Sequence, residues 1–270
     1  MFRRLSRMLA TLTVALCAIG ITLTCAVPTA QAAPRPTIVL VHGAFADKTS
    51  WDGVASILRR EGYRVVAVDN PLRGPAHDAA VVDRTVRSLP GPVVLVGHSY
   101  GGAVITNIHD PKVTRLVYVA AFAPGAGEPI ASAINPLQYP GSQLLPPALQ
   151  LKVVRDATGV GGYNLDAYIE ASAFPKIFAQ DVSPTTIKTM LAHQKSFAAS
   201  ANLELSGRPS WATTTPSWYV VSGNDRVIPP AAQRDAAKRI RARTTEIASS
   251  HASLVSHPAA VAGVIRQAAG

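Results

Sequence analysis

The stretch PVVLVGHSYGGAVI, residues 92–105, joins a short apolar run directly to a helical pattern through a serine that stands between glycines. Residues 93–96 are valine or leucine, which is typical of a buried strand. A strand that turns sharply into a helix at Gly-x-Ser-x-Gly forms a nucleophile elbow, which holds the hydroxyl above the end of a sheet. We therefore predict that Ser99 is a catalytic nucleophile and not a serine in an ordinary tight turn.

Short apolar runs alternate with longer helical patterns along the chain from residue 37. This alternation predicts an α/β fold, a mostly parallel sheet with helices on both faces. We expect six strands and five helices. The strands are 37–41, 64–68, 93–96, 115–120, 218–222 and 244–248, and the helices are 50–61, 78–89, 100–109, 230–240 and 258–268, with Asp78 able to cap the second helix.

The alternation is interrupted between about residues 125 and 210. Connections longer than about 15 residues are usually functional or carry structure of their own. Residues 165–173 and 185–199 have helical patterns. We predict a mainly helical cap that is inserted over the carboxyl edge of the sheet.

The first 32 residues have the pattern of a secretory signal peptide. Arg3, Arg4 and Arg7 precede an apolar run over about 8–27, and Ala-Gln-Ala at 30–32 is a typical cleavage site. A retained membrane anchor is the alternative, and the paired arginines leave a twin-arginine route open. We expect a secreted protein whose mature part is residues 33–270.

The composition of the chain, 48% hydrophobic and 16% charged, is that of one globular domain. Both cysteines, Cys17 and Cys25, lie in the predicted leader, so the mature chain would form neither disulfides nor cysteine-based sites. The net charge is +10, but the basic residues are scattered except over 238–243, where a helix is predicted to end. We therefore expect no nucleic-acid partner and no membrane contact after leader removal. The sequence indicates no oligomeric state.

A serine nucleophile needs a general base, and a histidine base needs an acid to orient it. His251 follows the last predicted strand and is our candidate base, whereas His257 is expected to precede or cap the last helix. Asp225 follows the fifth strand and is our candidate acid, although it could instead cap the next helix; Glu128 is the reserve. The chain order Ser99, Asp225, His251 is the order that goes with this type of elbow.

The reaction also needs two amide donors for the oxyanion that forms on the substrate. One is expected from Tyr100, directly after the serine. The other is expected from Ala44, because the chain can turn at Gly43 after the first strand. His42 is predicted to brace that loop, and His98 to pack or hydrogen-bond beside the serine.

The segments LVHGA and GHSYGG, together with Asp225 and His251, resemble the α/β-hydrolase superfamily over about residues 37–267. Within it, the chain looks most like the small esterases of the methyl-salicylate esterase and hydroxynitrile lyase group and their bacterial relatives. This resemblance implies a Ser-His-Asp triad, acyl-enzyme chemistry on esters, and neither a cofactor nor a metal. The lyases of that group carry threonine at the position of Gly43 and lysine at that of Ala252, which favours ester hydrolysis here.

We therefore expect a hydrolase that acts on small-molecule carboxylic esters. Another serine-dependent reaction on this scaffold, such as that of a perhydrolase, lactonase or amidase, stays open, as does an inactive binding module. The substrate would be set by the cap, whose aromatic residues either line an acyl pocket or form the core of the cap. They are Phe122, Tyr139, Tyr163, Phe174, Phe178 and Phe197.

Overall fold

The centre of the fold is a six-stranded sheet in which every neighbouring pair of strands is parallel, seen in a computed structural model that describes residues 35–270. The sheet has the strand order β2-β1-β3-β4-β8-β9. Its strands are β1 Thr37–Val41, β2 Val65–Val68, β3 Val93–His98, β4 Val113–Val119, β8 Ser217–Ser222 and β9 Arg243–Ile247. The six predicted strands and the α/β class are confirmed.

Helices cover both faces of this sheet. Their bounds are α1 Asp52–Arg60, α2 Pro75–Ser88, α3 Tyr100–Thr106, α6 Pro230–Arg239, α7 Ser253–Ser256 and α8 Pro258–Ala269. Side chains alternate along each strand, so that Val94 and Val96 pack with α1 and α8, whereas Val93 and Leu95 pack with α2, α3 and α6. The central strands β1 and β3 are buried along their whole length because both faces are covered, whereas the edge strand β9 is polar and largely exposed.

The five predicted helices are confirmed, with one difference at the start of the second. This helix begins at Pro75, whose ring suits the first turn, and Gly74 precedes it. Asp78 therefore lies inside the helix and does not cap it. Its buried carboxylate instead accepts hydrogen bonds from the Arg73 amide and, at 2.7 Å, from the Tyr100 hydroxyl.

The cap was wrongly predicted as mainly helical. Residues 165–173, expected to be helical, belong largely to the second arm of a hairpin, β5 Leu149–Val160 and β6 Tyr163–Ile169, which β7 Phe197–Ala198 extends into a three-stranded antiparallel sheet. Gly161 and Gly162 have φ angles of +62° and +82°, the two-glycine turn that favours a hairpin. The other predicted helix, 185–199, is confirmed only as α5 Pro184–Ala192, and α4 Phe174–Ile177 is a further short helix.

The predicted leader and both cysteines lie outside the described residues. Within residues 35–270, no helix is both long and apolar enough to cross a membrane. The same part of the chain contains no group of three or more histidine, cysteine or acidic side chains that could hold a metal ion.

Candidate active site

Ser99 lies at the strand–helix turn that the sequence predicts. Its backbone has φ 51° and ψ −121°, a strained combination for a residue with a side chain. The turn is tight because a Cβ at Gly97 would lie 2.5 Å from the carbonyl oxygen of Gly101, and one at Gly101 would lie 2.4 Å from that of Val41. Glycine at these two positions therefore lets the serine stand at the carboxyl end of β3, where its amide donates to Val119.

His251 and Asp225 form a buried pair at the same edge of the sheet. His251 follows β9, and its Nδ1 donates to Asp225 Oδ2 over 2.6 Å, with both side chains fully buried. The other carboxylate oxygen accepts the amides of Val227 at 2.7 Å and Ile228 at 3.0 Å. Gln233 Nε2 donates to Oδ2 over 2.7 Å. The carboxylate is thus held by four donors, and it fixes both the orientation of the imidazole and the nitrogen that carries its proton.

The second ring nitrogen of His251 is available to accept a proton, and His251 lines the same cavity as Ser99. Nε2 is buried and has no hydrogen-bond partner among residues 35–270. A ring nitrogen without a proton, in a cavity that a serine also lines, is the arrangement that general-base catalysis needs. The cavity, of about 50 Å³, is mostly apolar and is lined by Ala44, Phe45, Ser99, Tyr100, Phe122, Ile130, Ile134, Leu144, Leu149, Ala167, Phe197, Asn202, Val227 and His251.

The backbone amides of Ala44 and Tyr100 belong to residues that line the same cavity. Tyr100 is the first residue of α3, so its amide has no partner within the helix and lies at the positive end of the helix dipole. Gly43 brings the Ala44 loop against the elbow, because a Cβ at Gly43 would lie only 2.7 Å from the Cβ of Ser99. Ala44 and Tyr100 thus lie with Ser99 in the lining of one cavity.

The other two buried histidines of this region have structural roles, as predicted. His42 Nδ1 donates to the Gly43 carbonyl and Nε2 accepts the Asn70 amide, both over 2.9 Å, so His42 braces the loop. His98 Nε2 donates to the His251 carbonyl over 3.0 Å. Burial holds the pKa of His98 well below its usual range, and the nearby His251 lowers it further. A neutral His98 does not oppose a positive charge on His251.

The two reserve residues lie elsewhere. His257 is partly exposed and directly precedes α8; its Nδ1 is 2.9 Å from the hydroxyl of Ser256. Glu128 accepts the Gly125 amide over 2.9 Å and pairs with Arg239. The structure therefore brings Asp225, and not Glu128, to His251.

Two further residues support the pair: Gln233, which the sequence did not indicate, and Phe178, which the sequence indicated only as a cap aromatic. Gln233 Oε1 accepts the Ser222 amide over 2.9 Å while its amide group donates to Asp225. Phe178 belongs to the cap, and its ring packs edge-on against the His251 ring at 4.8 Å. Gln233 lies eight residues after Asp225, on the helix that follows. The sequence predicts its contact with Asp225 only once that helix is known to pack against β8.

Four of the six cap aromatics take one of the two roles left open by the sequence. Phe122 and Phe197 line the cavity that contains Ser99, whereas Phe174 and Phe178 stack on each other in the buried core. Tyr139 is buried beside a second cavity. The remaining aromatic, Tyr163, is 48% exposed on the hairpin.

Arg73 joins the cap to the sheet. Its guanidinium donates to Asp156 over 2.7 Å and to the two oxygens of Asp166 over 2.9 and 2.8 Å. Asp156 and Asp166 lie on the two arms of the hairpin, and Asp166 is fully buried. This two-point contact fixes the hairpin over the edge of the sheet that carries Ser99.

A parallel sheet with helices on both faces and a strained serine at the strand–helix turn defines a class, the α/β proteins built around a nucleophile elbow. The chain belongs to the α/β-hydrolase family, whose model matches residues 38–264.

Several known proteins are similar to the chain. A carbendazim hydrolyzing esterase from Nocardioides sp. (strain SG-4G) is 34% identical over 144 residues, 48% of this chain and 54% of the relative. Methylesterase 2 from Arabidopsis thaliana is 32% identical over 130 residues, 39% of this chain and 49% of the relative. The matches thus span about half the length of these two relatives.

Among solved structures, that of polyneuridine aldehyde esterase superposes with a TM-score of 0.72 at 17% identity, covering 87% of this chain and 99% of that one. At this identity the likeness concerns the fold. The resemblance to small esterases of the α/β-hydrolase superfamily, predicted from the sequence motifs, is confirmed by the family and by these relatives.

Proposed function

We propose that the chain is a serine hydrolase of carboxylic esters that uses Ser99, His251 and Asp225 as a catalytic triad. The observation that carries this proposal is the buried 2.6 Å hydrogen bond from His251 to Asp225. It leaves the opposite ring nitrogen unpaired in a cavity that the strained Ser99 also lines. No metal or cofactor is needed for this reaction, because its steps are proton transfers and acyl transfer.

In the proposed first half-reaction, His251 Nε2 takes the proton of Ser99 as its Oγ attacks the ester carbonyl carbon. The oxyanion that forms accepts hydrogen bonds from the Ala44 and Tyr100 amides. Asp225 stabilises the imidazolium. The carbon–oxygen bond to the alcohol then breaks, and the departing oxygen takes the proton from His251, which leaves an acyl group on Ser99.

In the second half-reaction, a water molecule gives its proton to His251 and attacks the acyl carbonyl. The same two amides stabilise the second oxyanion. The carboxylic acid then leaves as the Ser99 oxygen regains a proton from His251, which restores the free enzyme. The whole reaction consumes one water molecule, which supplies a hydrogen atom to the alcohol and a hydroxyl group to the acid.

Ester hydrolysis is supported over cyanohydrin cleavage by two positions and by the relatives. The chain has Gly43 and Ala252 where the lyases of the resembled group carry threonine and lysine. Ala252 is fully buried and its amide donates to the Phe178 carbonyl, so a lysine there would need a different local packing. Both relatives described above, the carbendazim hydrolyzing esterase and methylesterase 2, are named as esterases.

The decisive experiment compares the wild type with Ser99→Ala on p-nitrophenyl acetate. We expect a loss of at least about a thousandfold in kcat, since residual activity would come from the oxyanion site and binding alone. A fluorophosphonate probe should label Ser99 in the wild type and nothing in the variant. Retained turnover, or labelling of another residue, would contradict the proposal.

The alternatives are tested by the same protein. Lactones, amides and acetate with hydrogen peroxide are assayed beside the esters, and the highest kcat/KM identifies the reaction class. An inactive binding module would show no turnover in any of these assays and no labelling by the phosphonate.

We also propose that residues 1–32 direct secretion, although they lie outside the described residues. The support is the sequence pattern alone: three early arginines, an apolar run and Ala-Gln-Ala. Expression of the full chain should release a protein whose first residue is Ala33. Recovery of the uncleaved chain in the membrane fraction would favour the anchor instead.

A further inference from the structure

Two cavities of this protein share a wall. The active-site cavity is the one of about 50 Å³ that Ser99 and His251 line. A second cavity of about 190 Å³, named here the side cavity, lies between the chain that follows β4 and helix α6. Phe122 and Ile130 line both cavities, so their side chains form the partition.

The active-site cavity has less free space than the side cavity, about 50 Å³ against about 190 Å³. About 10–15 Å³ of such space holds one water molecule, so 50 Å³ corresponds to only a few waters, or to a short acyl group. A substrate with a larger substituent needs additional space next to Ser99. The side cavity is the neighbouring space, and the two residues that line both cavities lie between it and Ser99.

The partition is anchored through its backbone. The Phe122 amide donates to the Ser99 carbonyl over 3.1 Å, so the backbone of this residue is tied to the elbow. Just before Ile130, the Gly127 amide donates to the Ser206 carbonyl over 2.8 Å, and the Ser206 amide donates to the Glu128 carbonyl over 3.1 Å. With the backbone held on both sides, the Ile130 side chain is the part that can be removed without moving the elbow.

The short 3₁₀ helix Ile130–Ile134 runs along the partition. Ile134 lines only the active-site cavity, whereas Ser132 and Ala133 line only the side cavity. Ile130, 2% exposed, is the member of this helix that contacts both. It is therefore the residue whose size sets the connection between the two spaces.

The side cavity has a mixed lining. Small apolar side chains, among them Ala121, Ala232 and Ala236, stand beside hydrogen-bonding groups such as Gln138 and Tyr139. The Tyr139 hydroxyl donates to Asp235 over 3.0 Å. This lining fits an extended substituent that carries apolar surface and a hydrogen-bonding atom.

We propose that the side cavity is a substrate subsite and that Ile130 determines how large a substituent the enzyme accepts. This inference rests on the proposed ester hydrolysis at Ser99. The substrates are then esters with an extended, partly polar substituent. This substituent enters the side cavity when the Ile130 side chain rotates or is shortened.

The test measures kcat/KM for p-nitrophenyl acetate, butyrate, hexanoate and octanoate. Ile130→Ala should raise the octanoate-to-acetate ratio about tenfold, because one to a few buried methylenes change specificity by that order. The matched control is Ile57→Ala on α1, which shortens a partly buried isoleucine that lines neither cavity and should leave the ratio within about twofold.

A variant that fills the side cavity tests the subsite without changing either residue of the partition. Ala236→Phe, on the partly exposed face of α6, places a ring in the side cavity. It should lower the octanoate-to-acetate ratio several-fold in the wild type and remove the gain in Ile130→Ala. Equal ratios in the two isoleucine variants, or a gain that survives Ala236→Phe, would overturn the subsite. Loss of all ester turnover in the wild type would instead overturn the proposed function.

Discussion

The edge of the sheet and the cap are built by different interactions. At the edge, Asp225 and His251 are buried and hydrogen-bonded to each other, and Asp225 also accepts from the loop that follows it and from Gln233 of α6. The cap is tied down by ion pairs such as Arg73–Asp166, and it exposes apolar surface. All the large apolar side chains found exposed among residues 35–270 lie in it: Leu137, Leu145, Leu151, Val153, Val160, Tyr163, Leu165, Leu203 and Leu205.

This difference predicts how variants divide. A change at the sheet edge should lower the catalytic rate with little effect on specificity, because that edge holds the reacting groups at fixed positions. A change in the cap should alter stability or substrate preference first, because the cap covers the groups that react but contributes no member of the proposed triad.

The largest effect is expected for Asp225→Asn. The amide keeps the size of the side chain, but its NH₂ group faces donors from His251 and Gln233, which it cannot accept. The imidazole then loses the tautomer that leaves Nε2 free. We expect kcat on p-nitrophenyl acetate to fall about 10³- to 10⁴-fold with KM little changed.

The matched control is Glu128→Gln, which changes the reserve carboxylate in the same way. Glu128 pairs with Arg239 on the surface side of α6 and does not contact His251. Its kcat should stay within about twofold of the wild type. Comparable losses in the two variants would show that Asp225 is not the acid of the triad.

The second effect is expected for Gly43→Ala, which adds a single carbon. That carbon would lie 2.7 Å from the Cβ of Ser99 and 3.0 Å from Nδ1 of His98, so the elbow or the Ala44 loop must shift. A shift of about 1 Å can cost a hundredfold in rate, and we expect a fall of that size in kcat.

The matched control is Gly263→Ala, in the middle of α8. Its added carbon would meet only the end of the Arg266 side chain at 3.9 Å. Alanine is the better helix former, so stability should rise slightly and activity should not change. If Gly43→Ala kept full activity, the Ala44 amide would not be needed at its present position.

The sheet edge could be predicted from the sequence because its rules are local. A buried parallel strand is a short apolar run, the elbow needs glycines at 97 and 101, and Ser99, Asp225 and His251 each follow a strand in the expected order. What the sequence did not show is the packing around these groups. Gln233 and Phe178 reach the pair from a helix and from the cap, and such contacts depend on the tertiary structure.

The cap was harder to predict because its patterns are ambiguous. Residues 165–173 contain enough apolar positions to suggest a helix, but Leu165, Ala167 and Ile169 alternate, as the strand requires. The decisive local signal was Gly161-Gly162, which sets a hairpin turn. The sequence did not indicate the role of Arg73, because its partners are more than eighty residues away along the chain.

The third effect is expected for Arg73→Ala and concerns stability. It leaves Asp166, whose side chain is fully buried, without its cation. Removing one partner of a buried pair typically costs about 3 kcal/mol or more. The free energy of unfolding in urea should fall by about that amount, and hydrogen exchange should quicken first in β5 and β6.

The matched control is Arg234→Ala. This arginine also pairs with an acid, Glu246, but both side chains are about half exposed. Exposed pairs contribute at most about 1 kcal/mol, so this variant should unfold close to the wild type. Similar losses in the two arginine variants would mean that the Arg73 cluster does not hold the cap.

The smallest effect is expected for Asp181→Asn, where the cap meets the His251 loop. Asp181 Oδ2 accepts the Ser250 amide over 2.9 Å. Burial opposes the charge of Asp181, but the hydrogen bonds from Ser250 outweigh it and lower the pKa of this carboxyl below its usual value. The unfolded chain therefore takes up the proton first as the pH falls, so the carboxylate stabilises the folded state fully above about pH 4 and progressively less below it.

The variant lacks this charge at every pH. Wild type should exceed Asp181→Asn by about 1 kcal/mol in the free energy of unfolding at pH 7, the usual net contribution of one intramolecular hydrogen bond. The difference should be constant above about pH 5 and shrink as the pH falls below the unfolded pKa of about 4. Urea unfolding of both proteins along this series measures it. A difference in the free energy of unfolding that stays constant down to pH 3 would show that the charge of Asp181 does not contribute to it.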